Sequence, residues 1–74
     1  MHERDVDRKL VREVLDRDGL ALKLSCPGMD GMPDRLILLP SGRAAFAEIK
    51  APGRHPRPLQ LRRKRQLEAL GFRV

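Results

Sequence analysis

The chain has 74 residues and a mass of 8.4 kDa, which is enough for one domain, residues 1–74, and too little for two. Cys26 is the only cysteine, so an intrachain disulfide is excluded, and we interpret Cys26 as a reduced thiol. His2 and His55 give no zinc-type spacing with it and are expected at the surface. No apolar run approaches the ~18 residues of a membrane helix, and no signal peptide is evident. We therefore expect a cytoplasmic protein with no membrane partner.

The net charge of +6 is divided unevenly along the chain. Residues 1–34 contain six Lys or Arg and eight Asp or Glu, whereas residues 35–74 contain ten and two. An acidic segment can hold a cation, and a basic segment can hold a polyanion. A protein that acts on phosphate esters with a metal ion needs both. With two Phe and no Trp or Tyr, such a protein should bind a nucleic-acid backbone without stacking on the bases.

The first third of the chain predicts a helix and a strand. From Glu3 to about Asp18, apolar residues recur on one face at 3.6 residues per turn, and Gly19 is a natural end for this helix. Residues 20–25 alternate leucine with a small or polar residue, which is typical of a half-buried strand. Residues 26–33 contain two Pro and two Gly and are expected to form a loop.

The rest of the chain predicts a hairpin, a second helix and a short last strand. Residues 35–39 and 43–50 are the hairpin strands, on either side of a Pro-Ser-Gly turn. Three Pro and one Gly exclude regular structure in residues 51–58. The last of these prolines suits the first position of a helix over residues 59–70, and residues 72–74 follow as a strand.

The hairpin is predicted to bring two carboxylates together. Asp34 lies seven residues before a turn near position 41, and Glu48 lies seven residues after it. Lys50 follows two residues later on the same face as Glu48, whereas Arg35 should point to the opposite face from Asp34. Such oxygen ligands suit Mg²⁺, and a neighbouring lysine can orient a water or neutralise developing phosphate charge. A cross-strand salt bridge on a solvated face is the alternative reading, and the spacing alone leaves it open.

Three motifs stand in a fixed order along the chain: Gly31-Met32-Pro33-Asp34-Arg35, Phe46-Ala47-Glu48-Ile49-Lys50, and Gln60 ahead of a basic helix. This array resembles the VRR-NUC family of the PD-(D/E)XK nuclease superfamily, in its small stand-alone form associated with viruses and bacteria. The resemblance spans the chain from Glu3 to Val74. It implies an α/β fold, a minimal restriction-endonuclease-like αβββαβ core with a mixed central sheet. The Q-x-x-x-Y pattern of some nucleases in the superfamily is absent, because Lys64 stands four residues after Gln60.

The resemblance implies a DNA endonuclease that depends on Mg²⁺, or on Mn²⁺ as a substitute, and uses no small-molecule cofactor. Asp34 and Glu48 would bind the metal, and the main-chain carbonyl of Ile49 would be a third ligand. Lys50 would position the attacking water, and Gln60 would help to place the metal-bound or scissile phosphate. For Gln60 the alternative is an ordinary solvent-facing helix residue.

The first helix should supply a further carboxylate to this site, and two glutamates compete for that role. On a helical wheel, Glu3 falls inside the apolar stripe close to Leu10, and Glu13 falls at its edge. The family's glutamate also sits early in this helix, so Glu3 is preferred as a catalytic residue and metal ligand. The alternative for Glu3 is a carboxylate that only stabilises the helix dipole.

Several basic side chains are expected to contact nucleic acid, or alternatively to form a solvated charged face. They are Lys23, which is placed near Glu48 and Lys50, together with Arg54, Arg57, Arg62, Arg63, Lys64 and Arg65. The resemblance further implies homodimers that cut four-way (Holliday) DNA junctions, and residues 36–39, apolar on both strand faces, would gain from cover by a partner. The rival interpretations are a non-catalytic basic module that binds nucleic acid, an inactive truncated nuclease core, and a regulatory or decoy protein that only binds metal.

Overall fold

The fold combines two helices with one small sheet. The computed structural model describes residues 2–74, in which the element order is α1, β1, β2, β3, α2. The bounds are Glu3–Asp16 for α1, Leu20–Lys23 for β1, Arg35–Leu39 for β2, Arg43–Ala47 for β3 and Pro58–Ala69 for α2. The predicted α/β class is confirmed. None of the described helices has the length and apolar character needed to cross a membrane.

The sheet is antiparallel in the order β1–β2–β3, with β2 in the middle. The predicted last strand is reduced to one parallel bridge between Arg73 and Ala45. In this bridge the Arg73 carbonyl accepts the Phe46 N–H at 2.8 Å. The mixed character expected of the sheet is therefore limited to this single bridge. Phe72, just before the bridge, packs edge-on against Phe46 with ring centroids 5.7 Å apart.

Helix α1 ends earlier than predicted, and the residues that follow it show why position 19 is a glycine. The helix stops at Asp16, and Asp18 takes the left-handed conformation (φ 61°) that a glycine commonly takes at this position. The N–H of Gly19 then bonds the Val14 carbonyl at 2.9 Å, closing the helix end. A Cβ at Gly19 would lie 2.6 Å from the Leu38 carbonyl oxygen. Gly19 is thus needed for space against the sheet, while Asp18 makes the turn.

The leucines of β1 lie on the more exposed side of the sheet. Leu20 and Leu22 are 54% and 42% exposed, whereas Ala21 between them is half-buried. Helix α1 covers the face that carries Ala21 and the buried Ile37, and it bonds Arg35 on that same face. The period of two was correct, but the strand pattern does not say on which face the helix lies.

β3 is shorter than predicted, and a side chain explains where it ends. The strand stops at Ala47, so Glu48 and Lys50 follow it in irregular structure, although residues 43–50 were predicted as one strand. The N–H of Ile49 donates to Asp34 Oδ2 at 2.9 Å instead of to a main-chain carbonyl of β2. A carboxylate therefore replaces the next step of the sheet's hydrogen-bond ladder.

Helix α2 is held beside the sheet by polar contacts and a close approach to the 26–33 loop. Arg63 Nε donates to the Asp30 carbonyl at 2.8 Å. Gly31, with φ 82°, lies so close to Leu59 that an added Cβ would be 2.7 Å from its Cγ and 2.9 Å from its carbonyl oxygen. The buried apolar side chains are few: Val14, Ile37, Ile49 and Leu67. This small core makes each contact between α2 and the loop important for stability.

We expect Gly31→Ala to destabilise the protein more than Gly28→Ala. Both glycines have a φ near +80°, so both substitutions carry the strain of a left-handed alanine, on the order of 1 kcal/mol. Only Gly31 is crowded, since nothing lies within 4 Å of a Cβ at Gly28. The extra clash with the Leu59 main chain should add roughly 1–3 kcal/mol. Urea unfolding of the two variants measures the difference, and equal losses would contradict the close approach.

Candidate active site

The two hairpin carboxylates lie at the open end of the β2–β3 ladder. Arg35 pairs with Ala47 in the last full step, and Asp34 and Glu48 are the next residues outward on their strands. The register is the one obtained by counting from the turn. Asp34 is exposed, whereas Glu48 is half-buried. The pair therefore stands at one edge of the sheet, where a ligand can reach the space between the carboxylates.

Asp34 is oriented by the main chain of the segment that follows β3. Its Oδ2 accepts the Ile49 N–H at 2.9 Å, and this contact fixes the carboxylate beside the main chain of Ile49. Ile49 itself is only 7% exposed, so its burial in the core anchors this segment. The Asp34 carbonyl accepts the Leu24 N–H at 2.9 Å and ties the same residue to the end of β1. Asp34 is thus held at both its main chain and its side chain.

Glu48 carries the electrostatic signature of the site. Burial, together with a hydrogen bond and the negative charge of Asp34, raises the pKa of its carboxyl to about 7. Lys50 opposes this shift in the pKa, while the charge of Glu3 adds to it. Two carboxyl groups that share a site resist ionising together, and a cation placed between them relieves that repulsion.

Gln60 uses both ends of its side-chain amide. Its Oε1 accepts the Arg57 N–H at 2.8 Å, which satisfies a free donor at the start of α2. Its Nε2 donates to Glu48 Oε1 at 3.2 Å. Because the helix start fixes the oxygen, the amide nitrogen is left to face Glu48. The residue therefore lies in the site, and these contacts orient Glu48 relative to α2.

Helix α1 contributes one wall of a cleft of about 230 Å³ next to Asp34. Glu3 lines this cleft, and Glu13 does not. Ten residues of helix separate the two, about 15 Å along the axis, so both cannot serve the same site. Glu3 and Asp34 therefore line the same cleft.

The lysines near the site lie on two different sides of it. Lys50 lines a hollow of about 260 Å³ together with Glu48, on the side of α2. Lys23 lines the cleft beside α1 with Asp34 and Arg4. Lys23 was expected close to Glu48 and Lys50, but the cleft it lines includes neither of them. Positive side chains therefore flank the two carboxylates on opposite sides.

A strong ion pair joins α1 to the sheet and was missed by the sequence analysis. Arg35 Nε and Nη2 donate to the two carboxylate oxygens of Asp7 at 2.9 and 2.7 Å, and Nη1 donates to the Ala21 carbonyl at 3.1 Å. The side chains are 17% and 29% exposed. Arg35 also lines the cleft beside Asp34. The available signal was the spacing of Asp7, one helical turn after Glu3.

The basic residues predicted to contact nucleic acid fall into different environments. Arg63 is half-buried and bonds within the protein, to the Asp30 carbonyl and to Gln66 Oε1, at 2.8 Å in each case. Lys64 lines the hollow that contains Glu48 and Lys50. The other four residues in the range 35–74 that were predicted to contact nucleic acid are exposed: Arg54, Arg57, Arg62 and Arg65.

Comparison with known proteins decides the family. No family model matches the chain. The chain is 46% identical, over all 74 residues and 80% of the relative's length, to a phage protein named "Putative nuclease p44" from Acyrthosiphon pisum secondary endosymbiont phage 1. A solved structure described as a VRR_NUC domain superposes with a TM-score of 0.92 at 34% identity, over 97% of this chain and 78% of that one. The chain belongs to the VRR-NUC nuclease family. The resemblance identified from the motifs is confirmed.

The donor set of this VRR-NUC chain fits a hard cation with few protein ligands. Among residues 2–74, no three His, Cys, Asp or Glu side chains come together as a metal cage. What the site offers is the Asp34 and Glu48 carboxylates and the adjoining main chain of Ile49. Mg²⁺ is commonly held by one or two carboxylates and keeps several waters, which substrate phosphates can replace. The residues therefore fit Mg²⁺ and do not fit an all-protein zinc site.

We expect Asp7→Asn to lower the stability of this VRR-NUC chain at neutral pH by on the order of 1 kcal/mol, since the ion pair is partly exposed. The hydrogen bond and charge of Arg35 lower the pKa of Asp7 from its ordinary 3.8. A lowered folded-state pKa stabilises the protein above the ordinary value, and this stabilisation is lost as the pH falls through the folded value. The difference between wild type and variant should therefore shrink once the pH falls below 3.8, and it should vanish below the lowered folded-state pKa of Asp7.

Thermal melts at pH 7, 5 and 3 test this expectation. Asp16→Asn is the matched control, because Asp16 is an exposed aspartate of the same helix and forms no ion pair within residues 2–74. A loss for Asp7→Asn that stays constant from pH 7 to pH 3 would show that the pair does not hold α1 through its charge.

Proposed function

We propose that the protein is a Mg²⁺-dependent DNA endonuclease, with Mn²⁺ as a working substitute. The observation that carries the proposal is the opposition of Asp34 and Glu48 at the end of the hairpin, with Gln60 bonded to one and the Ile49 N–H bonded to the other. Lys50 stands beside Glu48. Membership of a nuclease family supports the reaction class, hydrolysis of a nucleic-acid phosphodiester bond.

Each residue of the site has a distinct task in this proposal. Asp34, Glu48 and the Ile49 carbonyl would hold Mg²⁺, with Glu3 from α1 as a further carboxylate facing the cleft. When bound, the metal supplies Lewis-acid polarisation of the phosphate. Lys50 holds the attacking water in line with the bond that breaks. The water oxygen bonds to phosphorus while the bond from phosphorus to the 3′ oxygen breaks.

Gln60 acts in this proposal as a positioning residue. Its amide nitrogen bonds Glu48, and its oxygen is held by the Arg57 N–H, so rotation of the amide costs one contact or the other. The remaining oxygen of Glu48 stays available as a ligand. In this reading Gln60 sets the direction of that oxygen, and its effect on the phosphate is indirect.

The substrate we propose is DNA bound through its backbone. The net charge of residues 35–74 is strongly positive, and Arg62 and Arg65 project their charge from the exposed surface of α2. Arg54 and Arg57 lie in the exposed segment before that helix, close to the site through the contact of Arg57 with Gln60. Phosphate neutralisation by such side chains gives affinity that depends on salt and carries little sequence preference.

We propose further that two copies associate and act on four-way DNA junctions. Leu20 pairs with Leu38 and Leu22 with Leu36, so the four leucines share one side of the sheet, here called the leucine face. Leu36 pairs onward with Phe46, which extends this apolar surface across the sheet. Two members of the face are more than 40% exposed. A two-fold dimer would cover the face in both copies and fix the separation of two sites.

We expect Glu48→Gln to abolish cleavage of DNA while raising the melting temperature of the metal-free protein. The substitution removes a metal ligand and also one of two facing carboxylates, whose mutual repulsion is worth on the order of 1 kcal/mol after screening by solvent. Mg²⁺ should raise the melting temperature of wild type and have no such effect on the variant. Asp34→Asn should also abolish cleavage, with DNA binding in Ca²⁺ retained.

Glu13→Gln is the matched control, because it replaces a glutamate with glutamine in the same way, at a position on α1 that lies outside the cleft. The assay incubates each protein with Mg²⁺ or Mn²⁺ and single-stranded, duplex, flap and four-way junction DNA. Wild-type rates for Glu48→Gln or Asp34→Asn would refute the site. Salt-sensitive binding without cleavage of any substrate by wild type would instead establish a non-catalytic nucleic-acid-binding module.

We expect Leu22→Glu to convert a dimer to a monomer and to remove any preference for four-way junctions over linear duplex. A charge on the leucine face opposes its burial between two copies. Leu70→Glu is the control, because Leu70 is 74% exposed at the end of α2 and lies outside the leucine face. Sedimentation at micromolar concentration gives the mass. A monomeric wild type that cleaves DNA would refute the paired-site model and leave the chemistry of a single site intact.

A further inference from the structure

The basic run of α2 does not act as one surface. Arg62, Arg63, Lys64 and Arg65 are consecutive, and consecutive helical residues point about 100° apart. They therefore face four directions around the helix, and only one direction leads to the site. Gln60, whose amide contacts Glu48, marks that direction. Lys64 follows Gln60 by four residues and so lies on the same face, one turn further along.

The surroundings of Lys64 place it in the site. Two adjoining hollows, of about 40 and 260 Å³, are both lined by Glu48 and Lys64. Gln60 lines the smaller of them and Lys50 lines the larger. Lys64 thus completes, with Gln60 and Lys50, the α2 side of the space around Glu48. Arg62 and Arg65 line neither hollow.

The charge of Lys64 is available for a ligand. Within residues 2–74 its side chain forms no ion pair and no hydrogen bond to another protein group. Arg63, in contrast, donates hydrogen bonds to the Asp30 carbonyl and to Gln66 Oε1. A lysine ammonium is a compact point charge with three donors, well suited to phosphate oxygens. An unpaired ammonium facing the same hollow as Glu48 and Lys50 is matched by the one anionic group that the reaction brings there, the scissile phosphate.

We propose that Lys64 is a catalytic residue that contacts a non-bridging oxygen of the scissile phosphate. The assignment rests on the proposed function and adds a second cation to Lys50 on the α2 side. In the reaction the water oxygen bonds to phosphorus, the bond to the 3′ oxygen breaks, the water gives up a proton to solvent, and the departing oxygen takes one up. Negative charge on the phosphate oxygens is redistributed as these bonds exchange, and a fixed ammonium stabilises it.

The test compares Lys64→Met with substitutions of the same kind elsewhere. Single-turnover cleavage at saturating protein, with Mg²⁺, gives the rate of the chemical step, and titration in Ca²⁺ gives the dissociation constant. Lys64→Met should lower the saturated rate by roughly 10²-fold, the scale of losing one preorganised donor to a reacting group. Its dissociation constant should change no more than that of Arg62→Met or Arg65→Met, since each of the three variants loses one phosphate contact.

Arg62→Met and Arg65→Met provide the contrast, and Lys9→Met provides the neutral control. The two arginine variants should weaken binding and reduce the slope of log affinity against log salt by about one each. Lys9 is an exposed lysine of α1 that lines neither hollow, so its variant should match wild type in rate and affinity. Lys64→Arg, which keeps the charge, should retain more of the rate than Lys64→Met.

Each outcome bears on a separate claim. A wild-type saturated rate for Lys64→Met, or a loss confined to affinity as for Arg62→Met, would overturn the assignment and leave the nuclease standing. Failure of wild type to cut any DNA with Mg²⁺ or Mn²⁺ would overturn the proposed function and this inference together. Circular dichroism melts check folding, and Lys64→Gln serves as a second neutral variant if Lys64→Met does not fold.

Discussion

The guanidinium of Arg35 connects three elements of this small protein next to the candidate active site. Arg35 lies directly after Asp34 and bonds Asp7 on α1 and the Ala21 carbonyl on β1, while its own main chain belongs to β2. Three elements therefore meet on a single side chain. With so few buried apolar residues, hydrophobic packing alone does not fix where α1 lies. The ion pair adds a directional contact between α1 and the sheet one turn after Glu3, which lines the cleft.

The site depends on a second group of polar contacts that work through the main chain. The Asp34 carboxylate accepts a hydrogen bond from the Ile49 N–H, which would otherwise continue the sheet. The Gln60 amide oxygen accepts one from the Arg57 N–H, which would otherwise be free at the start of α2. In both cases a side chain of the site satisfies a main-chain donor at the end of a regular element. The ends of β3 and α2 are thereby fixed, and Glu48 lies between them. Stability and site geometry come from the same hydrogen bonds.

Local patterns predicted the element order, the hairpin register and the pairing of Asp34 with Glu48, because these depend on neighbouring residues and on counting. They failed where a distant element decides. The period of two in β1 did not show which face α1 covers, since that depends on contacts such as the one between Asp7 and Arg35, 28 residues apart. The environments of Lys23 and Arg63 were not predictable for the same reason. No strand pattern shows that a carboxylate will end β3 at Ala47.

The hairpin imposes a rule on how this chain can change in length. Asp34 and Glu48 face each other only because β2 and β3 contain equal numbers of residues between the turn and the site. A one-residue insertion or deletion in β2 alone would turn Asp34 to the other face of the sheet, and one in β3 alone would turn Glu48, with the rest of the ladder kept. Residues added at Pro40–Gly42 leave the count within each strand intact. The turn is therefore free to vary in length, whereas the two strands can lengthen or shorten only together.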